Sequence, residues 1–339
     1  MEFVKQKIAI ICLIIISLGM DSVWGQSKEA RFLIDTCILI MKQNVVNADK
    51  FQWDELEKTA LEKASGVVDA YQLGPAMRFL YQSINDFHGS FFYKDSTFHW
   101  QRKKSSISDS IMNEWKKGVR IKTVMLGSSI GYLRIPSMPY PEKKDADRNA
   151  QMLNDSLCSL LERKAKGIIL DLRLDGGGTM YPMILGVEQL LSQGQVGSFI
   201  TNKGQNWYVK GNNFLLDTNI VTSILPRCGI DAQNIPVVVL IGPGTGSSGE
   251  FFVMSFKGRA KTVLMGSPTA GYITVVAGFP INNAAYMYLS VGYGADRNGE
   301  IYKEALRPDI PLSSPDKFND IENDEKVKAA KQWLTLQIY

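Results

Sequence analysis

Apolar residues recur at three- and four-residue intervals through the first part of the chain. Ile34, Cys37, Ile38 and Met41 mark one stripe, and Met77, Leu80 and Ile84 another. That spacing predicts helices over 28–48, about 53–65 and 69–84, a helical N-terminal unit. From 86 to 120 the pattern is polar and irregular, apart from an aromatic patch at Phe91, Phe92, Tyr93, Phe98 and Trp100. Beyond 121 it becomes short apolar runs that end in turns. Strands are expected at 129–135, 167–173, 235–241 and 261–265, and helices at 147–166, 181–192 and 250–257. Strand, Gly-rich loop and helix repeated in this order argue for an α/β core with parallel pairing. A β-ribbon is expected over 272–293 and a closing helix over 324–337.

The first residues read differently. Lys5 and Lys7 precede an apolar run from Ile8 to Leu18, and Val23 and Gly25 fit a cleavage site before Gln26. This is the layout of a secretory signal peptide over 1–25, and the run is short for a membrane span of about 20 residues. The expected organisation is then a helical N-terminal unit with connecting segment over 26–120, a core over 121–315 and a C-terminal helix over 316–339. No integral membrane domain is expected once the signal is removed, and the protein is expected to be exported, periplasmic or extracellular.

Composition narrows the chemistry. The 339 residues are 45% apolar and 21% charged, enough for a sizeable core and unlike a disordered chain. A net charge of +4 without long basic runs excludes nucleic acid as the main partner. Two histidines and four cysteines, at spacings that match no zinc pattern, leave no metal site to expect. Cys37, Cys158 and Cys228 remain after signal removal, an odd number that does not read as a disulfide framework, although one pair is possible in an exported protein; they are read as buried small apolar residues.

Gly244-Thr245-Gly246-Ser247-Ser248-Gly249 follows an apolar strand and precedes a helix, formally a G-x-G-x-x-G. A dinucleotide site also needs an acidic residue about 20 positions later, and 258–271 contain none. A P-loop fails for want of Gly-Lys-Ser/Thr, so no cofactor is expected. The loop instead sets two serines at a helix N-terminus, where unpaired N–H groups could stabilise an oxyanion. An N-cap role explains a serine there equally well. A second loop, Asp175-Gly176-Gly177-Gly178, exposes backbone amides at a strand end. A serine nucleophile needs a base, and both histidines, His88 and His99, precede Ser247. That excludes the α/β-hydrolase order of serine, acid and histidine. His88 follows a helix in Asn85-Asp86-Phe87-His88-Gly89-Ser90, where helix capping is the alternative reading.

Taken together these segments resemble the C-terminal processing (tail-specific, tricorn-type) serine peptidase family. The stretch from Gly167 to Gly178, G-I-I-L-D-L-R-L-D-G-G-G, resembles the family's strand ending in D-x-R-x-N-G-G-G. Val237 to Glu250 is similar to its nucleophile segment, with an acid three residues after the serine, and Gly258 to Gly271 to the G-R-A stretch that follows. Ile130 to Ile135 resembles the strand that opens the core, and Pro308-Asp309-Ile310 the closing P-D-I.

The resemblance implies a crotonase/ClpP-like core of stacked ββα units and a metal-free peptidase acting on a protein or peptide. By position, Ser247 is the nucleophile, with Ser248 and Gly177 amides as the oxyanion hole. One family branch uses a lysine about 25 residues downstream, where Tyr272 stands here. The other uses an N-terminal histidine, and Asp86-Phe87-His88 is similar to its Asp-x-His, which makes His88 the general base. Glu304 or Asp86 would orient it. The segment 91–124 is too short for the PDZ module many members carry. The alternative is a non-catalytic binder of a hydrophobic ligand or peptide on the same fold, similar to interphotoreceptor retinoid-binding protein.

Overall fold

The computed structural model describes residues 27–101, 107–139, 142–225 and 227–338. The expected signal peptide lies outside them. The chain forms two compact units, Met1–Arg102 with Val276–Val291, and Lys103–Val275 with Gly292–Tyr339.

In the first unit, helix α1 (Lys28–Asn44) starts at Ser27, whose side chain accepts the Ala30 N–H at 3.2 Å. It buries Ala30, Leu33, Ile34, Cys37, Ile38 and Met41, the stripe seen in the sequence. Helix α2 (Trp53–Lys63) and helix α3 (Gly74–Ser83) complete the bundle. The helix expected from 69 begins later, because Pro75 suits a first turn and a separate 3-10 turn, Ala70–Gln72, precedes it. The stretch expected to be irregular after 86 is a hairpin of β1 (Ser90–Tyr93) and β2 (Ser96–Phe98). The aromatic patch explains it: Phe91 and Tyr93 alternate inward on β1 and are buried with Met287 and Leu289, while β1 pairs antiparallel with 285–288.

In the second unit, the short helix α4 (Asp109–Lys117) was also missed by periodicity. It buries only Ile111, against Leu174 and Phe318, so it carries little apolar signal. Strands β3 (Lys122–Leu126) and β4 (Ile130–Arg134) lead into helix α5 (Lys143–Glu162) and strand β5 (Gly167–Asp171). Helix α6 (Met180–Leu185) stops at Gly186, where a Cβ would press within 2.6 Å of the Leu153 side chain on α5. Strands β6 (Gly194–Ile200), β7 (Gln205–Lys210), β8 (Asn213–Leu216) and β9 (Asn219–Ser223) form an antiparallel meander. Then come β10 (Val237–Ile241), helix α7 (Ser248–Phe256), β11 (Thr262–Gly266) and the ribbon strands β12 (Thr274–Pro280) and β13 (Ala285–Asp296). Short strands β14 (Ile301–Tyr302) and β15 (Ile310–Pro311) and helix α8 (Glu325–Ile338) end the chain.

The central sheet runs β15-β11-β10-β5-β4-β3, and every neighbouring pair is parallel except β3 with β4. Both faces are covered. Ile168 and Leu170 of β5 and Val237, Val239 and Ile241 of β10 pack to one side, while Ile169, Val238 and Leu240 pack to the other, with Val327 and Leu334 of α8. Continuous apolar runs in the sequence reflect this double burial.

Two cysteines depart from expectation. Cys158 and Cys228 form a disulfide with a Cα separation of 5.8 Å. Cys37 stays unpaired and buried in α1, in the other unit, so the odd count resolves into the one pair an exported protein allows and one buried thiol.

Candidate active site

The parallel sheet brings the C-terminal ends of β5 and β10 side by side, so the loops that follow them meet. Thr245 makes the first link, its hydroxyl donating to the Leu172 carbonyl at 2.8 Å. The Gly246 N–H donates to the Asp175 carbonyl at 2.9 Å, and the Ala270 N–H to the Thr245 carbonyl at 2.8 Å. Three segments, 172–178, 242–250 and 269–271, are thus sewn together by main-chain bonds.

Ser247 stands where this turn enters α7, with φ 52° and ψ −118°. A non-glycine residue at positive φ is strained, and such strain persists only where the surroundings impose it. Ser247 and Ser248 are both half-buried. The Ser248 hydroxyl donates to the Gly178 carbonyl at 2.7 Å. Gly177, at φ 117°, lies against the 242–250 loop: a Cβ there would meet the Ser247 Cβ at 2.8 Å and the Gly246 carbonyl at 3.0 Å. Its N–H donates to Asp175 Oδ1 at 3.0 Å, and the Gly176 N–H to the Ser137 hydroxyl at 2.8 Å. The N–H groups of Gly178 and Ser248 have no hydrogen-bond partner among the described residues.

Two buried carboxyls support these loops. Asp175 is fully buried, and its Oδ2 has no partner among the described residues. Burial holds this carboxyl well above the usual carboxylate range, against the pull of the Gly177 N–H. Glu250 is also fully buried and accepts the Ser247 N–H at 2.9 Å. Burial raises it to about 7, opposed by its hydrogen bonds.

The D-x-R part of the motif is structural. Arg173 is 1% exposed and grips Asp171 through Nε and Nη2, at 3.0 and 2.7 Å, and reaches Asp316 and Asp324 at 2.7 and 2.9 Å. Burial alone would raise Asp171, but the Arg173 charge and hydrogen bonds outweigh it and bring the carboxyl to about 2.

In the first unit, Asn85 adopts φ 56° at the end of α3 and turns the chain into the His88 loop. Asp86, 4% exposed, accepts the N–H groups of His88 and Gly89 at 3.1 and 2.8 Å. It also accepts the Ser290 N–H and hydroxyl at 2.8 and 2.7 Å. A side chain at Gly89 would collide with the Asp86 carboxylate and the Tyr288 carbonyl. His88 is half-buried. Ser247, Ser248 and the glycine loop therefore meet within one unit, and Asp86 and His88 belong to the other. Glu304 is exposed, on a groove shared with Lys257, Tyr302 and Asp309. Sequence reasoning assigned no role to Glu250, Asp175 or Ser290. The S-x-x-E spacing of a capping box was the available signal for Glu250.

Residues 129–312 match Peptidase family S41, just over half of the chain, and the chain belongs to that family. It is a serine peptidase of mixed α/β fold, and peptides or proteins are its substrates. It is 24% identical over 329 residues to the nisin-resistance protein of Lactococcus lactis subsp. lactis, covering 95% of this chain and 94% of that one. It is 25% identical over 249 residues to the carboxy-terminal processing protease CtpA of Bacillus subtilis strain 168, covering 66% of this chain but only 49% of CtpA. A lipoprotein from Streptococcus agalactiae has a similar structure, with a TM-score of 0.67 at 20% identity over 91% of this chain and 96% of that one. The photosystem II D1 C-terminal processing protease shares the fold with a TM-score of 0.53 at 14% identity, covering 85% of this chain and 94% of that one.

Proposed function

We propose that this protein is an exported peptidase that cleaves peptide bonds through an acyl-enzyme on Ser247, with His88 as general base. The observation that carries this reading is the strained turn at Ser247, a serine held at φ 52° where a strand enters a helix. His88 takes the Ser247 proton as Oγ attacks the carbonyl carbon, and returns it to the leaving amine as the tetrahedral intermediate collapses. Water, deprotonated in the same way, then releases the acyl group.

The oxyanion donors proposed are the N–H groups of Ser248 and Gly178. Gly177, expected from the sequence, gives its N–H to Asp175, so its part is to leave room beside Ser247. Of the two candidate orienting acids, Asp86 is the one carried forward. It is buried and grips the His88 main chain, whereas Glu304 is exposed and acts at most through a screened charge.

Export is supported by the signal-like first 25 residues and by the Cys158–Cys228 disulfide, since such bonds persist in oxidising compartments. No described helix is long and apolar enough to cross a membrane. The end-to-end match with a nisin-resistance protein makes short peptides the first substrates to try.

The test is mass-spectrometric mapping of a fluorophosphonate adduct on the folded protein. The adduct is expected on Ser247. An adduct on Ser248 contradicts the assignment of Ser247 as nucleophile, and no adduct contradicts the acyl-enzyme proposal and favours a binding protein on this fold.

A further inference from the structure

The buried Glu250 has three hydrogen-bond donors converging on it from two separate segments. Its Oε2 accepts the Ser247 N–H at 2.9 Å, and its Oε1 accepts the Gly271 N–H at 2.9 Å and the Thr269 hydroxyl at 2.5 Å. The Thr269 oxygen in turn accepts the Leu306 N–H at 2.9 Å. We propose that Glu250 is a positioning residue, whose carboxylate holds the Ser247 main chain in its strained turn and locks it to the 269–271 segment. This rests on Ser247 being the nucleophile.

An ordinary capping box accounts for only one of these bonds. A capping glutamate on a surface helix is solvated and returns to a single main-chain N–H. Here the side chain is withdrawn from water and spans from the first turn of α7 to a loop 19 residues further along the chain. All three partners are donors, so the ionised carboxylate, an acceptor at both oxygens, suits them. A glutamine in its place presents one acceptor and one donating NH2, and must set a donor against a donor.

The same arrangement makes the clamp sensitive to pH. Burial without a cation raises the Glu250 carboxyl to about 7. The segment 269–271 brings no charged side chain toward it. Among titratable side chains of the adjoining loops, Asp175 packs against Gly249 and the Tyr272 ring borders Gly246. Below pH 7 the protonated carboxyl gives up one acceptor position, and its hold on Ser247 slackens.

The test is the fluorophosphonate labelling rate of the full folded chain from pH 5.5 to 8.5, with folding verified by circular dichroism. Ser247→Ala sets the zero. Glu250→Gln is expected to lower the rate about a hundredfold at pH 8, the scale of a roughly 1 Å misplacement, and to make the acid limb of the profile shallower by one proton, leaving the dependence that the general base imposes. On any peptide that is cleaved, kcat is expected to fall and KM to hold. Thr269→Val keeps the side-chain shape and removes one donor to the carboxylate. It is expected to move the acid limb to higher pH, which a merely structural threonine would not do. Wild-type rate and profile in Glu250→Gln, with Ser247→Ala unlabelled, would overturn the clamp and leave the hydrolase standing. An unmoved acid limb in Thr269→Val would do the same. Unchanged labelling of Ser247→Ala would remove nucleophile and clamp together.

Discussion

The Ser248 hydroxyl donates to the Gly178 carbonyl across 2.7 Å, tying the first residue of α7 to the glycine loop. Two adjacent serines are thereby given different work: one is spent on the loop, and the other sits in the strained turn. Ser248→Ala should lower fluorophosphonate labelling about fivefold while leaving the adduct on Ser247, since one such hydrogen bond is worth about 1 kcal/mol. Gly177→Ala should be far more damaging, because its Cβ would fall 2.8 Å from that of Ser247 at a φ of 117°. Labelling rates of the two variants, with melting temperatures as controls, check both.

The buried Arg173 holds three carboxylates at once. Arg173→Met would leave Asp171 and Asp324 charged and buried, and should destabilise the protein by about 3–5 kcal/mol. The pH dependence follows from Asp171, whose carboxyl is lowered to about 2. Its contribution is present above an unfolded value of about 4 and is lost as pH falls toward 2. Urea midpoints at pH 6 and pH 3 should show a smaller difference between wild type and Arg173→Met at the lower pH.

Asp175 stands where the family motif resembled by this stretch has asparagine. Its carboxyl is raised by burial, so the native state binds a proton that the unfolded state has already released. Stability from this group is full below an unfolded value of about 4 and declines as pH rises above it. Asp175→Asn should therefore be stabilising at neutral pH, on the order of 1 kcal/mol. The advantage should shrink toward pH 4, as read from urea midpoints at pH 4.5 and 7.5.

The Cys158–Cys228 bond closes a loop across a sequence separation of 70. Chain entropy gives such a loop about 4 kcal/mol, with strain and residual structure reducing it, so reduction should cost about 2–4 kcal/mol. Cys158→Ala/Cys228→Ala should match reduced wild type in thermal unfolding. A variant as stable as the oxidised protein would contradict this.

Much of the fold was legible because the core strands and bundle helices carry strong periodicity. The double burial of β5 and β10 shows directly as the runs G-I-I-L-D and V-V-V-L-I. Other parts were hidden for physical reasons. Helix α4 buries a single side chain, and the β6–β9 meander mixes polar and apolar residues on short strands. The hairpin at Phe91 depends on β13, nearly 200 residues away in sequence, and local pattern says nothing of such a partner. At the site, loop glycines and the serine pair could be read from the sequence. The buried carboxyls could not, because Glu250 and Asp175 become unusual only through the burial that folding imposes.

The most direct test of the central claim is hydrolysis of a quenched fluorescent peptide library by the protein from residue 26 onward. Wild type should cleave, and Ser247→Ala and His88→Ala, each shown to be folded, should both lose at least about a thousandfold in rate. Cleavage that survives in folded His88→Ala at the wild-type rate would contradict the Ser247–His88 account.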